Sequence, residues 1–205
     1  MKYLKLFENF EDIHKICKKY GIEDYTINPD GSIDVDGNVY LYGKKLDKLP
    51  LTFNDVSGYF DCSNNNLTTL EGAPKSVGGY FSCSDNNLTT LLGGPQSVVG
   101  DFDCRFNNLT TLEGCPQSIG GSLWCQSNKI LTFEGAPNHV GGVFNCNTNP
   151  IFNIWDLFKD YSKVELLNDL DPIRGEDILM DRLNTFLSMI GLDEVESVKG
   201  YNCIN

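Results

Sequence analysis

Gly79-Tyr80-Phe81-Ser82-Cys83-Ser84-Asp85-Asn86-Asn87-Leu88-Thr89-Thr90-Leu91 is the stretch that decides the fold. Nearly the same text runs from Gly58 to Leu70, from Gly100 to Leu112 and, loosened, from Gly121 to Phe133. A fifth copy, Gly142 to Ile154, keeps Cys146, Asn149, Ile151 and Ile154. Cys62, Cys83, Cys104, Cys125 and Cys146 are each 21 residues apart. A degenerate leading copy starts at Gly37, with Leu41 in the cysteine's place, then Leu46 and Leu49. A fixed period of this length is the mark of a repeat architecture, in which each unit buries its apolar side only against its neighbours.

One unit can be read from its pleat. Phe81 and Cys83 are two apart and share one face of a strand, while Tyr80, Ser82 and Ser84 point to the other. Three residues after each cysteine stands an asparagine: Asn65, Asn86, Asn107, Asn128 and Asn149. A sharp turn inside a stack leaves backbone groups away from water, and a primary amide both donates and accepts. Leucine or isoleucine follows two residues on, and another large apolar side chain three beyond that. Gly and Pro, as in Gly72 and Pro74, punctuate the way back. Twenty-one residues hold a short strand, a turn and a return that is extended or a short 3₁₀ segment. The expected fold is therefore α+β: a solenoid with a parallel β-sheet on its concave face, rungs ~4.8 Å apart, and helical caps.

The pattern Phe60-x-Cys62-x-x-Asn65-x-Leu67 resembles the leucine-rich-repeat core, Leu-x-Leu-x-x-Asn-x-Leu, over about residues 37–154. It departs from that family three residues before each Phe, where Gly78, Gly120, Gly141, Ser57 and Val99 replace the first leucine; this implies a thinner coil. The flanks, Met1-Lys-Tyr-Leu-Lys-Leu-Phe-Glu8 and Ile173 to Gly191, resemble those of repeat proteins encoded by tailed bacteriophages. That likeness implies synthesis in a bacterial cytoplasm.

The ends read as caps, since a stack must be closed against water. Residues 1–36 are expected to form an N-terminal cap: a helix carrying Phe10, Ile13, Cys17 and Tyr20, stopped by Gly21, then a hairpin around Ile33 to Val35. Residues 37–151 are the repeat. Residues 152–205 form an acidic helical cap with 11 acids against 5 bases. Ile154, Leu157, Phe158 and Tyr161 make one stripe, Asp171-Pro172 a helix start, and Leu179, Leu183, Phe186, Leu187 and Ile190 a second stripe ended by Gly191.

Composition narrows the function. Of 205 residues, 16 are Lys or Arg and 28 Asp or Glu, for a net charge of −12. Such a chain is poorly suited to gripping nucleic acid or an anionic membrane through its overall field. No apolar run reaches the ~18 residues of a membrane span, and Met1 to Phe10 does not read as a secretory signal. The expected location is the cytoplasm, that of a bacterial host if the chain is phage-encoded. The Asn-Leu-Thr triplets at Asn66, Asn87 and Asn108 then arise from the repeat alone.

The cysteines read as buried free thiols filling a core slot. An odd column of five cannot pair completely, and a line is the wrong shape for tetrahedral zinc. No metal or cofactor is expected. His14 and His139 stand apart from any nucleophile, and no phosphate loop or nucleophile elbow occurs. Asp61 and Asp103, two units apart, have the ~10 Å separation that strand spacing sets. An open sheet provides them no closed pocket, so they are not read as a catalytic pair.

Binding should fall on the outward strand positions. Arg105 and Trp124 stand where other units have small polar or acidic residues, and Phe106 takes a turn position held elsewhere by Asn, Asp, Ser or Thr. Trp, Tyr and Arg are the side chains that most often anchor interfaces. The predicted protein-binding patch is Tyr80, Asp101, Asp103, Arg105, Phe106 and Trp124; the competing explanation is local packing or drift. The asparagine and cysteine columns are structural. The overall expectation is a monomeric, non-catalytic module for a protein partner. A virion-associated structural component is the alternative, and an enzyme the least favoured class.

Overall fold

The computed structural model describes residues 2–204. Its chain is α+β, with four α-helices and two many-stranded sheets among the described residues. Helix α1, Lys2–Tyr20, ends at Gly21, whose φ of 66° is the left-handed conformation that stops a helix without a Cβ penalty. Ile13 and Cys17 on this helix are buried. A hairpin follows, Tyr25–Ile27 antiparallel to Ile33–Val35.

Between Val39 and Asn145 the paired residues of successive parallel strands are 21 positions apart. The six-stranded sheet runs Val39–Tyr40, Phe60–Asp61, Phe81–Ser82, Phe102–Asp103, Leu123–Trp124 and Phe144–Asn145, all parallel. The cysteines line up rung over rung inside it, as do Phe60, Phe81 and Phe102, whose rings stack at 5.5 and 5.2 Å. The return segments carry no helix.

The single expected sheet is in fact two. A seven-stranded sheet begins with the hairpin and continues as Phe53–Val56, Ser76–Val77, Ser97–Val98, Ser118–Ile119 and His139–Val140. Every unit thus contributes two short strands, separated by a bend at the glycine column Gly58, Gly79, Gly100, Gly121 and Gly142. The bend explains the missing first leucine. Val56, Val77, Val98 and Ile119 are buried four residues before each Phe, not three, so the core column exists and is displaced by one position. Successive glycines of the column are hydrogen-bonded at 2.8–3.0 Å, and a Cβ on Gly100 would stand 2.8 Å from the carbonyl of Gly79.

Phe144 on the last rung is covered by Trp155, edge to face, and by Tyr161, with Phe158 packed on Trp155 and reaching Phe186; the covering side chains are Trp155, Phe158, Tyr161 and Phe186. These sit on α2 (Phe152–Phe158), a 3₁₀ turn (Tyr161–Lys163) and α4 (Met180–Met189), with α3 (Val164–Leu170) between. Asp171-Pro172 does not start a helix. Asp171 has a φ of 46° and closes α3, and proline follows because it cannot continue one. The chain then enters a three-stranded sheet, Ile173–Arg174, Asp177–Leu179 and Asn202–Ile204, within the region expected to be wholly helical.

Candidate binding face

The asparagine column fastens the rungs. Asn107 Nδ2 donates to the carbonyl oxygens of Cys83 and Cys104 at 3.0 and 3.1 Å, while its Oδ1 accepts from the Leu88 N–H at 3.0 Å. Asn65, Asn86, Asn128 and Asn149 repeat this pattern. Each amide donates to the carbonyls of two successive rungs: Leu41 and Cys62 for Asn65, and two successive cysteines for the other four. Cys62, Cys83, Cys104, Cys125 and Cys146 are free and buried, and desolvation raises all five thiols, Cys146 to about 12. They are protonated apolar fillers at neutral pH, not nucleophiles.

The outward side of the six-stranded sheet carries the predicted patch, and three of its members meet. Asp103 Oδ2 lies 3.0 Å from Arg105 Nε, and its Oδ1 accepts from the Arg105 backbone N–H at 3.1 Å. Tyr80 stands on the preceding rung, near enough for the Asp103 charge to act on its hydroxyl. Trp124 is the direct cross-strand neighbour of Asp103 on the other side and is half-buried. Asp101 points the same way and accepts from the Ser122 N–H at 2.7 Å.

One expectation fails here. Asp103 is 2% exposed and is not displayed to a partner, and Ser63, Ser82 and Ser84, also outward, are buried too. Rungs ~4.8 Å apart let a long side chain on one strand roof over a short one on the next. Burial raises the Asp103 carboxyl to about 6, although Arg105 and the backbone N–H both pull it down. Desolvation outweighs the ion pair because Arg105 itself remains partly in solvent. Tyr80 is raised to about 12, again chiefly by desolvation.

Phe106 remains in solvent. It is 50% exposed and adopts a φ of 53°, in a column where Asn64, Asp85, Ser127 and Thr148 are also left-handed. A bulky side chain there costs about 1 kcal/mol relative to Gly or Asn, with no packing in return. Beside the patch, Gln126 Oε1 is a buried polar atom without a hydrogen-bond partner among the described residues.

Sequence reasoning missed Tyr40 and Tyr42, which are 55% and 58% exposed on the first rung of the same face. The signal was their alternation with buried Val39 and Leu41 in a copy read only as degenerate. Together with Tyr59 they extend the patch toward the N-terminal end.

No protein-family model, curated protein or solved structure matches the chain. Among the described residues, no helix is long and apolar enough to cross a membrane, and no group of three or more His, Cys, Asp or Glu side chains is arranged to hold a metal ion.

Proposed function

We propose that the chain is a solenoid of leucine-rich-repeat type and a non-catalytic interaction module, binding a partner protein across the outward face of its six-stranded sheet. In this reading it is a phage accessory factor acting on a host protein in the bacterial cytoplasm. The observation that carries it is a coincidence of two stability costs on residues three apart in one unit. Asp103 is a carboxylate held in a desolvated place, and Phe106 is an exposed aromatic held in left-handed backbone. Neither improves the stack, and costs without a structural return concentrate where side chains serve a partner. Tyr80, Arg105 and Trp124 surround them with the residue types that anchor interfaces.

The test is site-specific photo-crosslinking in a bacterial lysate, with the photoreactive residue at position 106 or, as control, at Ser97 on the other sheet. A discrete adduct to one host protein from position 106 alone is the expected result. No adduct, or the same adducts from both positions, overturns the reading.

A further inference from the structure

Asp61 and Asp103 hold the same column of the six-stranded sheet, with Ser82 between them. Their surroundings agree at one carboxylate oxygen and differ at the other. Asp61 Oδ1 accepts from the Ser63 N–H at 3.0 Å, as Asp103 Oδ1 accepts from the Arg105 N–H at 3.1 Å. Asp103 Oδ2 then receives the Arg105 guanidinium. At Asp61 the residue two positions on is Ser63, whose hydroxyl goes to the same Oδ1 at 2.5 Å. No Lys or Arg pairs with Asp61 among the described residues, and its Oδ2 has no protein partner there.

Tyrosines stand beside Asp61 on this face, with Ser82 as its other cross-strand neighbour. Tyr40 is the direct cross-strand neighbour of Asp61. Tyr59 lies two residues before it on the same face, and the Tyr59 and Tyr80 rings meet edge to face at 6.4 Å. Tyr80 feels the charges of both Asp61 and Asp103. Tyr40 and Tyr59 keep about half of their surface in solvent, 55% and 49%. A half-buried carboxylate with one free oxygen, beside partly exposed tyrosines, suits a planar cation that hydrogen-bonds and stacks at once.

Resting on the reading of this face as a partner surface, we propose that Asp61 is the seat for an arginine side chain of the partner. The arginine, carried on an extended segment, takes at Asp61 Oδ2 the place that Arg105 fills at Asp103, with its guanidinium plane against Tyr40 and Tyr59. The molecule supplies this cation itself on one rung and leaves it to be supplied on the other. The net charge of −12 draws a basic segment to the face.

The test is an NMR titration of the full chain with acetyl-Gly-Arg-Gly-amide and with its citrulline counterpart, which keeps the shape and loses the charge. Saturable shifts at Tyr40, Tyr59 and Asp61 are expected with the arginine peptide, with affinity about tenfold weaker for citrulline. Asp61→Asn should weaken the arginine peptide about tenfold. Ser63→Arg, which puts a cation in place from within, should abolish its binding. Either variant decides the matter if the other fails to fold. Equal binding of the two peptides, or undiminished binding to a folded variant, overturns the proposal. Crosslinking at position 106 without arginine binding removes this inference and leaves the partner surface standing; arginine binding without a crosslinked partner removes the partner surface and leaves Asp61 as an arginine site with no partner assigned.

Discussion

The two sheets are built from the same copied unit, yet their outward faces differ. On the seven-stranded sheet the column reads Ser76, Ser97 and Ser118, small hydroxyls at or near the surface, with Ser76 Oγ donating to Asp55 across one rung. On the six-stranded sheet the matching positions hold tyrosines, Asp103 with Arg105, and Trp124, and short side chains disappear beneath long ones. Copying accounts for the first face, where departures are confined to the ends of the column, Asp55 and His139. It does not account for the second, where departures cluster and cost stability. The face that breaks its own pattern is the one to perturb.

The largest effect should come at the bend that separates the sheets. Gly100→Ala forces a Cβ against the Gly79 carbonyl and should destabilise by about 3 kcal/mol, seen as a large fall in the denaturant midpoint. Asn107→Ala strands the Leu88 N–H and takes from the Cys83 and Cys104 carbonyls one of their two amide donors, leaving Asn86 and Asn128, for a loss of about 2 kcal/mol. Both changes strike the scaffold shared by the two faces.

The next two should move stability the other way. The Asp103 carboxyl is raised from an ordinary 3.8 to about 6 in the folded state. Its contribution is therefore fully present below about pH 4 and lost as pH rises through about 6. Asp103→Asn removes that loss. Thermal melts should show it more stable than the wild type by roughly 1–2 kcal/mol at pH 7, with the difference vanishing toward pH 4. A variant that is less stable at pH 7 would mean the Arg105 pair outweighs desolvation. Phe106→Asn should gain about 0.5–1 kcal/mol by relieving left-handed strain and should weaken partner binding. On the quiet face, Ser97→Lys should change stability by less than about 0.5 kcal/mol and leave binding intact. If it abolishes binding, the contrast between the faces collapses.

Much of the scaffold was legible in the chain because its determinants are local and copied. The cysteine and asparagine columns, the inward phenylalanines and the helix ended by Gly21 follow from period, pleat and turn chemistry. The second sheet was not legible. Two consecutive glycines, as at Gly78 and Gly79, read as a gap in the core, whereas they mark a bend that shifts the core column to Val77. Asp171-Pro172 misled because proline serves helix starts and helix ends alike, and only the φ of Asp171 tells which. Within the predicted patch, Arg105 and Trp124 lie beside Asp103 and Tyr80 on the preceding rung, but the period says nothing of how deeply that carboxylate sinks.

By itself the sequence determined that this protein repeats every 21 residues, which positions face inward, and that thiol and amide columns line the interior. These follow from the alternation of a strand and the demands of a closed turn, both set within a few residues. The tertiary structure alone decided that Asp103 is buried with its own cation while Asp61, two rungs away, has none, and that Tyr40 and Tyr42 remain bare. Burial on an outward face depends on which side chains the neighbouring rungs lay across it. Those neighbours stand 21 residues away in the chain and one strand spacing away in space.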